Sequence, residues 1–177
     1  LALFVDGARL GYGLCSPLCD VTLPQLATLA DIFYIGGTKV GALFGEAVVI
    51  VNEGLKRDFR YSIKRHGGML AKGRLLGIQF ETLFTNNLYF EIARRAVTQA
   101  LRVKDVLQAK GFHLMIDSPT NQQFVILPNY VLDQLSQRFV LSPWEPLEGN
   151  RTAVRICTSW ATRDENVDAL IEELEKF

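Results

Sequence analysis

The chain opens on five apolar residues in a row, Leu1-Ala-Leu-Phe-Val5, and no other feature constrains its fold as strongly. A strand that faces water on one side alternates apolar and polar residues. An unbroken apolar run is typical of a parallel strand covered on both faces. Such a strand needs neighbours, so the sequence reads as the C-terminal portion of a longer polypeptide whose sheet begins upstream.

The next segments continue that pattern. Asp6 to Cys19 is rich in Gly and closes on a Ser-Pro turn, which predicts a loop. Thr22 followed by Pro24 predicts a short N-capped helix through Ala30. Asp31 to Ile35 and Glu46 to Val51 read as strands separated by Gly-Gly-Thr-Lys. The succession is that of a layered α/β sheet. From Glu53 to a Gly-Gly break after His66 the pattern is helical and charged, and two longer helical stretches follow, Met69 to Phe84 and Leu88 to Lys110. The second carries Ile92, Ala96, Val97, Ala100, Val103 and Leu107 at three- and four-residue steps, and Gly111 is placed to end it.

Beyond residue 110 the character changes. Phe112 to Ile116, Phe124 to Leu127 and Ala153 to Cys157 are short strand candidates, Asn129 is placed to cap a helix to Phe139, and Thr162-Arg-Asp-Glu165 has the form of a capping box. The expected organisation is therefore a segment 1–110 from a large α/β domain with its connecting helices, and a small α+β domain over 111–177.

Composition narrows the function classes. Nineteen Lys and Arg balance nineteen Asp and Glu, so no net field favours nucleic acid or an anionic membrane, and a neutral chain with a pI near 6.9 associates readily. Three cysteines, an odd number, suit a reducing cytoplasm and close no disulfide framework; Cys15 and Cys19 lack the further ligands of a zinc site, so no metal is expected. No apolar run reaches the length of about 20 residues that a membrane-spanning helix requires.

Two segments carry chemistry. In Ile35-Gly-Gly-Thr-Lys-Val-Gly41 a strand end delivers Lys39 among glycines, where a ligand can approach the backbone closely and a partly desolvated amine becomes nucleophilic. Lys39 is a Schiff-base candidate; the alternative is a solvated lysine in a turn. In Asp6-Gly-Ala-Arg9 a carboxylate follows the opening strand, at the strand end where open α/β sheets place ligands. There it can keep a heteroaromatic nitrogen protonated, and Arg9 can reach the same ligand; the alternative is a turn with a surface ion pair. Of the two histidines, His113 reads as packed within an apolar strand, and His66 has no assigned role.

Asp6-Gly-Ala-Arg-Leu10, Gly36-Gly-Thr-Lys39 with Gly45-Glu-Ala-Val48, Arg65-His-Gly-Gly-Met69 and Val154-Arg-Ile-Cys-Thr-Ser-Trp160 together resemble the threonine aldolase and β-eliminating lyase family, pyridoxal-phosphate enzymes of the aspartate aminotransferase fold type, or fold type I. The resemblance implies a C-terminal part of the fold type I large domain plus the small domain, and a homodimer or homotetramer. It implies that Lys39 forms the internal aldimine, that Asp6 pairs with the pyridine nitrogen, that Arg9 lies near the cofactor's ring oxygen and that Arg155 grips the substrate carboxylate. Without it, Arg155 reads equally as half of a strand-end ion pair. Thr38 either donates to the cofactor phosphate or stabilises the turn. Relatives commonly have an arginine directly after the Gly-Gly-Met stretch, and Leu70 stands there in this chain. The implied reaction is Cα–Cβ cleavage of a β-hydroxy-α-amino acid. The same residues suit β-elimination, and the reading of another class is a non-catalytic fragment or degenerate subunit.

Overall fold

The computed structural model describes residues 1–177, and its contacts divide the chain into two compact units, one of Leu1–Leu14 with Cys19–Ile92, the other of Cys15–Leu18 with Ala93–Phe177. The division falls within the helix Leu88–Ala109.

In the first unit β1 (Phe4–Val5) pairs in parallel with β2 (Ile32–Gly36), and β2 pairs antiparallel with β3 (Glu46–Ile50), from Ile32 opposite Ile50 to Gly36 opposite Glu46. Three helices of this unit, α2 (Leu23–Leu29), α3 (Phe59–Arg65) and α4 (Arg74–Phe84), follow the expected order. Thr22 caps α2 as the sequence requires: the Gln25 amide donates to its hydroxyl (3.4 Å) and Gln25 Oε1 accepts from the Thr22 amide (2.8 Å). Two details differ from expectation. The loop after Asp6 contains a helical turn, α1 (Leu10–Leu14), despite its glycines, because Tyr12 is fully buried and the Gly11 amide donates 3.0 Å to the hydroxyl of buried Tyr89. Residues 69–73 are not helical; Gly67 turns the chain at φ 76°, Gly73 precedes α4, and the helix starts at Arg74.

In the second unit α5 (Leu88–Ala109, from Ala93 onward), α6 (Asn129–Leu135) and α7 (Asp164–Leu174) pack with an antiparallel sheet in the order β4 (His113–Ile116), β5 (Gln122–Pro128), β7 (Arg151–Cys157), β6 (Ser142–Leu147). Strict alternation along β5 turns Gln123, Val125 and Leu127 inward, where Val125 and Leu127 join Val103, Leu107, Val154 and Leu174 in one core; Phe124 is half-buried on the other face. Gly111 ends α5 in a left-handed conformation at φ 76°, as expected.

β6 is not among the strands expected from the sequence; it carries Pro143 and Pro146, which are tolerated because it is an edge strand paired only with β7. Both predicted caps beyond residue 128 are replaced. Pro128 precedes α6, and Asn129 Oδ1 instead accepts from the Thr152 hydroxyl (2.8 Å). Arg163 precedes α7, while the Thr162 hydroxyl accepts from the Ser159 amide (2.9 Å). His113 is exposed on the edge strand β4, not packed.

Candidate functional site

Because β1 and β2 are parallel neighbours, their carboxyl ends lie side by side, and the two chemical segments of the sequence start there. Asp6 directly follows β1. Gly36 ends β2, and a single 3-10 turn, Thr38–Val40, carries Lys39. Glycines allow the close fit: a Cβ on Gly7 would stand 1.5 Å from the Tyr34 carbonyl oxygen, and one on Gly36 2.7 Å from the carbonyl oxygens of Gly7 and Ala8. The Gly36 amide donates to the Gly7 oxygen at 2.9 Å, tying the Asp6 loop to the end of β2.

The Asp6 carboxylate accepts hydrogen bonds from the Tyr34 hydroxyl and from the Ala8 amide (3.0 Å). Those two bonds, followed by the positive charges of Lys39 and Arg9, hold its carboxyl below the ordinary range. Asp6 is exposed, and these interactions keep it ionised to lower pH than a free aspartate. The bond to Asp6 in turn pushes the Tyr34 phenol up. Glu46, which opens β3 opposite Gly36, accepts from the Gly37 amide (3.2 Å); burial pushes its carboxyl up, and that hydrogen bond and the Lys39 charge oppose the rise.

Lys39 is half-buried, and its backbone carbonyl accepts from the hydroxyl of Tyr12. Arg9 is half-buried as well, with an Nε–H that is buried and finds no acceptor. Thr38 is exposed on the turn. Asp6, Arg9 and Lys39 therefore gather at one sheet end. Tyr34 and Glu46 belong to the same group and were missed by sequence reasoning. The available signal was position: Tyr34 lies two residues before Gly36, and Glu46 begins the strand that pairs with it.

Arg155 belongs to the second unit. It sits in mid-β7, opposite Phe124 on β5 and Ser142 on β6. Its Nη2 donates to Ser142 Oγ at 3.4 Å, its guanidinium lies 5.4 Å from the centre of the Trp144 ring, and its Nε–H is buried without an acceptor. Beside it opens a cavity of about 470 Å³, lined by Arg138, Ser142, Arg155, Cys157 and Asn166 among others. His66 is exposed, with Nδ1 2.8 Å from the Ser62 carbonyl oxygen. All three cysteines are free, no group of three or more His, Cys, Asp or Glu side chains is arranged to hold a metal ion, and no helix is long and apolar enough to cross a membrane.

No protein-family model matches the chain. Among curated proteins it is similar to the low specificity L-threonine aldolase of Pseudomonas aeruginosa, 28% identical over 139 residues, which cover 78% of this chain and 40% of that protein. It is also similar to the low specificity L-threonine aldolase of a Pseudomonas strain, 27% identical over 177 residues, covering 98% of this chain and 50% of that protein. The chain therefore spans half or less of the length of these relatives. Among solved structures, a threonine aldolase of Leishmania major superposes with a TM-score of 0.97 at 44% identity, over 99% of this chain and 52% of that one. Serine palmitoyltransferase of Sphingomonas wittichii superposes with a TM-score of 0.62 at 12% identity, over 98% of this chain and 46% of that one, a likeness of fold alone. The resemblance to threonine aldolases drawn from the sequence motifs is borne out, and the architecture is that of the fold type I enzymes.

Proposed function

We propose that the protein containing this chain is a pyridoxal-phosphate-dependent lyase that cleaves the Cα–Cβ bond of a β-hydroxy-α-amino acid, releasing glycine and an aldehyde. The observation that carries this reading is the 44% identity, at a TM-score of 0.97, to a threonine aldolase across 99% of the chain. The donor set at the sheet end fits the cofactor independently. It offers a primary amine, a carboxylate held ionised, and a guanidinium with an open buried N–H.

In this reading Lys39 Nζ would be the group that holds pyridoxal phosphate covalently, and Asp6 would pair with its pyridine nitrogen. Tyr34, by donating to Asp6, keeps that carboxylate ionised and oriented. Arg9 would lie near the ring oxygen, and Thr38 would either donate to the phosphate or stabilise the turn. When bound, pyridoxal phosphate supplies a conjugated sink for the electron pair released as the Cα–Cβ bond breaks. Arg155 grips the substrate carboxylate, and a guanidinium fork fixes the orientation of the bond to be broken. The same reading takes residues 1–110 as part of the large domain and 111–177 as the small domain of a cytoplasmic homodimer or homotetramer, with neither nucleic acid nor membrane as partner. The zero net charge supports the last point.

Borohydride reduction of the cofactor-loaded protein followed by peptide mass mapping tests the central assignment. A pyridoxyl group on Lys39, lost in Lys39→Ala, is the expected result. A group on another lysine overturns it.

A further inference from the structure

The environment of Arg155 contains a feature that carboxylate binding alone does not require. Arg155 shares the face of the sheet opposite the core with its cross-strand partners Phe124 and Ser142. The register between β6 and β7 slips between Pro143, opposite Val154, and Glu145, opposite Ala153, so Trp144 is the extra residue of a β-bulge. Its ring lies against the Arg155 guanidinium with 5.4 Å between guanidinium carbon and ring centre. The edge of this stack is closed by Phe124, whose ring meets that of Trp144 at 5.3 Å and 85°. Trp144 is 53% exposed in this chain, and the ring contacts it makes are to Phe124 and to the Arg155 guanidinium.

Resting on the reading of Arg155 as the carboxylate clamp, we propose that Trp144, braced by Phe124 and presented by the β6 bulge, is a positioning residue that holds the Arg155 guanidinium ready for an α-amino-acid carboxylate. A guanidinium stacked on an indole keeps its N–H groups in the ring plane free for hydrogen bonds, while losing most of its rotational freedom. Ser142 Oγ accepts from Nη2 at 3.4 Å and the buried Nε–H has no partner, so the guanidinium keeps donor capacity that the protein does not use. A preorganised fork avoids the ordering entropy that a free arginine loses when it binds.

The test is calorimetric titration of the cofactor-loaded full-length protein with glycine and, in parallel, with glycine methyl ester, which keeps the amine and lacks the carboxylate. Trp144→Leu is expected to weaken glycine about fivefold, from the strength of an arginine–indole contact at a partly exposed site, and to leave the ester unchanged. Trp144→Phe, which keeps a ring, is expected to restore most of the glycine affinity. Equal weakening of glycine and ester, or no change in either, overturns the proposal, since a purely structural role does not select for the carboxylate. Should the Leu variant fail to fold, Trp144→Gln carries the same comparison. Arg155→Ala separates this proposal from the reading beneath it: glycine binding unchanged in that variant refutes the clamp itself, whereas loss there with none in Trp144→Leu refutes only the positioning role.

Discussion

Replacing Tyr89 by Phe removes one oxygen atom and leaves the packing volume almost unchanged, so the cost comes from hydrogen bonds alone. Tyr89 is fully buried; its hydroxyl accepts from the Gly11 amide at 3.0 Å and donates to the Gly36 carbonyl at 3.2 Å. Gly11 lies in the first turn of α1, where backbone amides have no partner within the helix. A Cβ on Gly11 would stand 2.8 Å from the Tyr89 ring, which leaves no room for a compensating side chain at that position. The variant therefore strands one buried donor and weakens one acceptor, a loss of about 2 kcal/mol. With a urea dependence of about 2 kcal/mol per molar, the unfolding midpoint of the intact protein falls by about 1 M. Hydrogen exchange gives a local readout, because the Gly11 amide loses protection in the variant. A stability change below about 0.5 kcal/mol, with Gly11 as protected as before, refutes the reasoning, since the hydroxyl would then not be the group that satisfies that amide.

Two further outcomes are expected. Tyr34→Phe removes the largest cause of the depressed Asp6 carboxyl, so carboxyl-carbon NMR should find Asp6 titrating closer to the ordinary aspartate range. The stabilisation from Asp6 is present above its unfolded-state value and lost as pH falls through its folded-state value, so removing the bond makes that contribution smaller and brings its loss to higher pH. Leu127→Ala, at a fully buried position of the second unit, should cost about 2–5 kcal/mol in chemical denaturation, and a change under about 1 kcal/mol would contradict its place in the core.

The parts of the fold that the sequence made legible are those in which local pattern and tertiary role agree. β2 and β3 carry dense β-branched and aromatic residues, α5 repeats small and branched apolar residues along one stripe, and α2 has a complete capping box. Segments read wrongly are those where another residue overrules the local signal. α1 forms over glycines because Tyr89, 78 positions away, satisfies its first turn. A local rival does the same at α7, where the Thr162 hydroxyl accepts from the Ser159 amide three residues back and leaves the helix without its expected cap. Within the candidate site, Asp6 and Lys39 were legible because each follows a recognisable strand. Tyr34 and Glu46 were not, since their part depends on which strand lies beside which and in what register. Trp144 depends on a single inserted residue in an edge strand that carries Pro143 and Pro146.

Those prolines have a consequence for the protein in a crowded solution. β6 is one of the two margins of a four-stranded antiparallel sheet, and an open margin of unpaired amides and carbonyls is a template on which another chain can add a strand. Pro143 and Pro146 have no N–H to offer a newcomer, and the bulge at Trp144 breaks the even spacing that a straight incoming strand would need. The segment that holds an aromatic ring against Arg155 also resists aggregation at that edge. A change that straightened β6, by replacing a proline or deleting the inserted residue, would expose the second unit to edge-to-edge growth into insoluble material.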